Sequence, residues 1–275
     1  MAIAKAVLKE NKMDFIDKKI LGRTGLKVSR LGLAGGYGIP AAGVERAFYE
    51  HGINYFYWST PRKPGMRDGL RILIKNNRDE IVIVVQSYDH IGLSAERSVH
   101  KGLKTLNIDC IDVVLLGWQN WGPADRIIKK ALKMKAEGKI GYIAMSGHNR
   151  QFFGKLARKA ESPIDIFMTR YNAAHPGAEK DIFPYLSENN RPGVTAYTAT
   201  SWGKLLKQKK MPPGEKPMTA ADCYRFVLSN PHIDICMMGP RNEREFDEGV
   251  QALKLGPLSN QEMARARKIG EYVHG

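Results

Sequence analysis

The sequence predicts a closed (β/α)8 TIM barrel, preceded by a β-hairpin and followed by an extra helix. Eight short runs that are apolar throughout recur along the chain, and the stretches between them carry apolar residues at helical spacing. Strands buried on both faces read as continuous apolar runs, because neither face meets water. The length agrees, since 275 residues suit a unit that takes about 250 residues. A doubly wound sheet would usually show fewer strands and a glycine fingerprint after the first. Gly35, Gly36 and Gly38 do follow the first run, but without GxGxxG spacing.

The elements follow in order. KKILGRTGLKVS, from Lys18, has the two short arms and central glycines of a hairpin. The strand runs are LGLAG from Leu31, NYFY from Asn54, IVIVVQ from Ile81 and IDVVLLG from Ile111. The second half continues with IGYIAMSG from Ile140, IDIFMTRY from Ile164, VTAYTA from Val194 and IDICMMG from Ile233. Between them Val99, Leu103 and Leu106 recur at three- and four-residue intervals, as do Ile127, Ile128, Ala131, Leu132, Met134 and Ala136, which marks crossover helices. Asn260 to Tyr272 reads as the closing helix. With no linker-like stretch, residues 1–275 read as one domain.

Composition narrows the function. Apolar residues make up 43% of the chain, enough for a sizeable core. The formal charge of +15 favours anionic partners, but lysines and arginines alternate with apolar residues and do not gather in an arm, so a solvated surface explains them and nucleic acid is not expected. Cys110, Cys223 and Cys236 form no CxxC pair, which suits reduced thiols. The first dozen residues lack a signal-peptide run, and no segment approaches the ~20 apolar residues that span a bilayer. The expectation is a cytoplasmic protein without a membrane partner, and its oligomeric state is left open. His51, His90, His100, His148, His175, His232 and His274 are scattered without HxH or HExxH spacing, so no metal site is expected. Asp109 and Asp112 have a strand-start explanation, and neither a Walker signature nor a nucleophile elbow occurs.

LGRTGLKVSRLGL, from Leu21 to Leu33, closely resembles the opening of aldo-keto reductases, in which a hairpin closes the bottom of the barrel. GINYFYWS, LKTLNIDCIDVVLLGW and GKIGYIAMSGHN resemble later segments of the same family. TRYNAA, TAYTATSWGKLL and GPRNEREFDEG resemble its EYNL, AYSPLAGGLL and GARNPEQLEEN stretches. The likeness runs in order over roughly residues 17–255.

The resemblance implies NADP(H) lying across the C-terminal mouth of the barrel. Ser146 falls at the serine that binds the nicotinamide carboxamide, and Tyr197 at the aromatic that stacks on the nicotinamide. Thr198, Ser201, Gly203, Lys204 and Leu205 fall in the loop that wraps the pyrophosphate. Gly239 and Arg241 lie where a helix start and a guanidinium receive the adenosine 2′-phosphate, which favours NADP over NAD. Met168 and Gly147 replace the glutamine and asparagine that usually partner the carboxamide. Glu245 and Gly249 replace the adenine-side glutamine and asparagine, with Glu248 left for the adenine amino group. Each lost hydrogen bond is worth about 0.5 to 1.5 kcal/mol.

The family's proton-transfer residues do not align. The aspartate position holds Tyr57, the lysine position Gln86 and the histidine position Gly117, and Arg62 stands nearest the tyrosine in WSTPRKPG. Losing lysine and aspartate together is coherent, because a buried ammonium stripped of its carboxylate is strongly destabilised. A tyrosine titrates near 10, so Tyr57 needs a cation beside it, and Arg62 or Lys63 are the candidates.

Three readings stand. An atypical oxidoreductase uses Tyr57, with Arg62 as the candidate charge beside it and Gln86 and Trp118 shaping a pocket for a small carbonyl or alcohol; the basic TPRKPGM and SWGKLLKQKKMPPGEKP loops suit an anionic substrate. A pseudoenzyme holds NADP(H) as a sensor or regulatory subunit, with Tyr57 only filling space beside Trp58 and Gly117. A lyase or isomerase uses His148, Tyr88, His90 or Arg62 as acid and base. Trp58, Trp118 and Trp202 are expected near the mouth.

Overall fold

The computed structural model describes residues 15–58, 63–88, 94–159 and 161–274. Arg62 and His90 therefore lie outside the described residues. Strands β1 (Lys19–Ile20) and β2 (Lys27–Val28) pair antiparallel as the expected hairpin. The turn brings Gly22 (φ +48°) so close to the start of a barrel strand that an added Cβ would lie 2.2 Å from Gly193 N.

Eight parallel strands then close into a ring: β3 (Leu31–Ala34), β4 (Tyr55–Trp58), β5 (Val82–Ser87), β6 (Ile111–Leu116), β7 (Ile140–Gly147), β8 (Ile166–Arg170), β9 (Gly193–Tyr197) and β10 (Ile235–Met238). Each pairs with its chain neighbours, and β10 returns to β3. Every predicted apolar run supplies one strand. Alternate residues divide between two apolar layers, which is why the runs are apolar throughout. Tyr55, Val82, Val84, Val113, Leu115, Ile166 and Ile235 fill the inside of the ring, where Leu21 and Val28 of the hairpin join them and plug its N-terminal end. Phe56, Ile83, Val85, Val114, Ile143, Phe167 and Met238 face outward against the helices.

The surrounding helices are α1 (Ala41–Tyr49), α2 (Pro64–Asn77), α3 (Ser94–Leu106), α4 (Asp125–Ala136), α5 (Arg150–Ala157), α6 (Ala178–Asp181), α7 (Ala220–Leu228), α8 (Glu243–Leu255) and α9 (Asn260–His274). In α4 the residues Ile127, Ala131 and Met134 form the buried stripe, whereas Leu132 turns to solvent at 43% exposure. Pro at N1 starts α2, Asn149 caps α5, a Thr219–Asp222 capping box opens α7 and Asn242 caps α8, so orphan N–H groups at these ends are satisfied by local side chains.

Helix α9 packs beside the strand C-termini. A Cβ added at Gly270 would lie 2.1 Å from Ala173 O, so glycine permits the close approach of the helix to the loop after β8. Arg225 on α7 reaches Glu262 at 2.8 Å, and Arg267 reaches Glu179 at 2.9 Å. At the opposite end of the barrel, fully buried Asp234 receives both terminal nitrogens of Arg191, at 2.9 and 2.6 Å, and the backbone N–H of Val194. Cys223 and Cys236 are buried, Cys110 is half-buried, and none forms a disulfide. Among the described residues no helix is long and apolar enough to cross a membrane.

Candidate active site at the C-terminal mouth of the barrel

In parallel barrels the strand C-termini and the loops after them carry function. Three adjacent strands bring Ser146, Met168 and Tyr197 to this end: Ser146 is registered with Met168, and Arg170 with Tyr197. The Ser146 hydroxyl accepts from Trp118 N at 3.4 Å, and the Ser146 carbonyl accepts from Gln119 N at 2.7 Å. Gly147 leaves room for the Gln119 carbonyl, which would sit 3.1 Å from a Cβ there.

An arc of rings crosses the mouth. Tyr88 to Trp118, Trp118 to His148 and His148 to Tyr197 have centroid separations of 6.4, 6.2 and 6.3 Å. Trp118 Nε1 donates to His148 Nε2 at 2.9 Å, and the Tyr197 hydroxyl lies 3.2 Å from His148 Nδ1. An indole nitrogen can only donate, so Nε2 accepts and the neutral ring carries its proton on Nδ1, facing Tyr197. That leaves the Tyr197 hydroxyl to donate to the Gly147 carbonyl, 3.5 Å away. Burial, then the nearby Arg170 charge, pushes the His148 pKa down, which keeps the ring neutral. Burial raises Tyr197 to about 12 against the opposing pull of Arg170.

Below the arc, Gln86 ends the inner face of β5 with its Oε1 buried and, among the described residues, without a hydrogen-bond partner. Gly117 is what admits it. A Cβ at 117 would lie 2.4 Å from Gln86 Nε2 and 2.9 Å from the Tyr88 ring, so an amide and a phenol fill the room that the resemblance assigns to histidine. Tyr57 sits deeper, lining with Tyr55, Val84, Leu115, Met168 and Thr195 a crevice too tight for a water molecule. Burial drives its phenol far above the usual tyrosine range, and the phenols of Tyr88, Tyr55 and Tyr37 push the same way; no cation acts on it among the described residues. The side chain of Lys63 runs past Gly38, 3.7 Å from where a Cβ would be.

After β9 the backbone turns left-handed at Thr198, Ser201, Trp202 and Gly203 (φ +56°, +49°, +54° and +75°). Hydrogen bonds from Ser201 N to Thr198 O and from Gly203 N to Thr200 Oγ1 tie the turn, and buried Leu205 anchors it. Ser201 Oγ is buried and, among the described residues, without a partner, and Lys204 is exposed beside it. Past β10, Gly239 lies under the Tyr37 ring, whose carbon would come within 2.6 Å of a Cβ. Arg241, on the surface, is held by Glu245 through Nε at 2.8 Å and through its backbone N–H at 2.8 Å. Glu248 accepts from Ala220 N at 2.9 Å, at the start of α7, and so is already engaged.

Of the three tryptophans expected near the mouth, Trp118 and Trp202 stand there, exposed by 60% and 52%. Trp58 does not. It is 7% exposed and packed between barrel and helices, because it alternates with Tyr57 along β4 and only one of the two can face inward. Arg170, which the sequence reading passed over, ends β8 on the inner parity shared with Ile166 and Met168. Its signal was present: TRYNAA carries arginine where the EYNL stretch carries glutamate.

The model of the Aldo/keto reductase family matches residues 42–223, more than half of the chain. The chain belongs to the aldo/keto reductase family. It is 23% identical over 287 residues to L-galactose dehydrogenase of Arabidopsis thaliana, covering 88% of this chain and 89% of that protein. Among solved structures it resembles the holo form of an aldo-keto reductase of Bacillus halodurans (TM-score 0.74, 20% identity, 92% of this chain and 96% of that one). It also resembles an aldo-keto reductase of Klebsiella pneumoniae in complex with NADPH (TM-score 0.73, 21% identity, 93% and 95%).

Proposed function

We propose that this chain is an NADP(H)-dependent oxidoreductase of small carbonyl or alcohol compounds, working in the cytoplasm on a single barrel domain with a non-standard proton-transfer site. The observation that carries the reading is the placement of Ser146, Met168 and Tyr197 at the ends of three adjacent strands of an aldo/keto reductase barrel. The buried, unpartnered Ser201 Oγ in the left-handed turn after β9 fits a phosphate oxygen, and the exposed Arg241 fits a 2′-phosphate once Glu245 yields. When bound, the dinucleotide supplies or accepts the hydride. Tyr197 offers a flat platform and Ser146 a hydroxyl for the carboxamide, while Thr198, Gly203, Lys204 and Leu205 shape the pyrophosphate loop. Gln86 and Trp118 bound the substrate space, and Tyr57, with Arg62 as a candidate cation, holds the proton that completes carbonyl reduction.

Titration of tryptophan fluorescence with NADPH and NADH, followed by a panel of aldehydes and ketones, tests the reading. Saturable NADPH binding and carbonyl-dependent oxidation of NADPH are expected, and Tyr57→Phe should abolish turnover. Absence of binding by either nucleotide would sink the reading, and unaltered rates in Tyr57→Phe would remove that phenol from the chemistry. A second reading, a non-catalytic NADP(H)-holding protein, is favoured by the setting of Tyr57 in a tight crevice, where burial and then the neighbouring phenols strengthen its hold on the proton. Tight NADPH binding without turnover of any carbonyl would select it.

A further inference from the structure

Among the described residues Arg170 is an unsatisfied, half-buried charge at the mouth. Among the described residues its buried Nε has no hydrogen-bond partner and the guanidinium forms no ion pair. The other inward-lying arginines have acceptors for their terminal nitrogens: Arg30, whose Nε is likewise unpaired, donates through Nη2 to the Leu228 and Ile233 carbonyls, Arg191 grips Asp234, and Arg225 grips Glu262. Arg170 instead lies against the Trp202 ring, 5.6 Å from its centroid, within the range of a cation–π contact.

The groups around it are neutral. Burial and then Arg170 hold His175 down at about 4, and burial and then Arg170 also lower His148. Tyr197, its cross-strand neighbour, is raised to about 12 and so keeps its proton. A half-buried guanidinium ringed by an indole, two neutral imidazoles and a phenol has lost part of its hydration without gaining a carboxylate. Such a group is a standing acceptor for an anion, because the fork of N–H donors matches a carboxylate in two places and the partly dry setting strengthens the pairing. It lies on the inner parity of β8, two residues beyond Met168 and registered with Tyr197, which places it beside the expected nicotinamide platform and on a different strand from Arg241.

We propose that Arg170 anchors a carboxylate of the carbonyl substrate, so that the site selects oxo acids over neutral aldehydes and ketones. The inference rests on the oxidoreductase reading and adds the substrate class to it. Trp202, 52% exposed and already stacked on the guanidinium, supplies an apolar wall for the body of such a molecule.

The test compares 4-carboxybenzaldehyde with benzaldehyde, in the wild type, Arg170→Gln and Arg170→Lys. The ratio of kcat/KM for the acid over the neutral aldehyde is expected to fall about 10- to 100-fold in Arg170→Gln, mainly through KM, with partial recovery in Arg170→Lys. An unchanged ratio overturns the proposal. So does a loss of NADPH affinity in Arg170→Gln as large as the loss for the acid, since the guanidinium would then serve the dinucleotide. If the wild type reduces neither aldehyde, calorimetric titration with benzoate in the presence of NADPH separates the two failures. Benzoate binding that Arg170→Gln removes keeps the anchor while the redox reading falls, and no benzoate binding by the wild type ends the anchor as well.

Discussion

Arg241 and Glu245 pose the sharpest question at the level of single residues. Arg241 stands where a 2′-phosphate is expected, yet a carboxylate four residues on already occupies its guanidinium and its backbone N–H. The carboxylate must turn aside before a phosphate can enter, and it repels that phosphate meanwhile. Glu245→Gln should therefore tighten NADPH about 2- to 5-fold, with little change for NADH, and the gain should shrink as salt screens the pair. Fluorescence titration of both nucleotides measures it; equal gains for NADH would separate Glu245 from phosphate selection. Tyr57 and Gln86 were legible in the sequence as departures from a family pattern. That Gln86 and Tyr88 share the room opened by Gly117 was not, since Gln86 and Gly117 lie at the ends of different strands, far apart in the sequence.

Helix α9 shows how one element is tied to the mouth. Glu262 in its first turn is held down to about 2, chiefly by the Arg225 side chain and then by the Ser259 backbone N–H. The folded value lies below the ordinary carboxylate value of 4.5, so the interaction contributes fully above that value and is lost as pH falls from there through about 2. Thermal unfolding across this range should find wild type more stable than Glu262→Gln near neutrality, with the two converging as the solution is acidified. A difference independent of pH would assign the effect to lost packing. At its far end α9 brings His274 to 4.9 Å from His175, beside Arg170 and Trp202, so loosening the helix should reach the substrate anchor. The helix itself was expected from its composition, but the partners Arg225 and Glu179 come from distant segments.

For the molecule as a whole, the charge of +15 opposes compaction. Many cations are paired on the surface, and exposed pairs contribute little each, so the net repulsion should dominate the response to salt. Raising NaCl from about 0.01 M to about 0.15 M shortens the screening length from about 30 Å to about 8 Å, and the melting temperature is expected to rise over that interval. A fall would mean that ion pairs such as Arg225–Glu262 outweigh the repulsion.

The sequence by itself determined the barrel, because eight apolar runs alternating with helical stretches have few other ways to bury both faces of every strand. It also marked most of the residues that end those strands. Only the tertiary structure decided which groups face one another across the mouth: Trp58 turned outward, a neutral His148 set between Trp118 and Tyr197, and Arg170 left among the described residues without an ion-pair partner. Periodicity along a chain is a local property, whereas the partner of a side chain depends on closure of the ring, which brings together residues far apart in sequence.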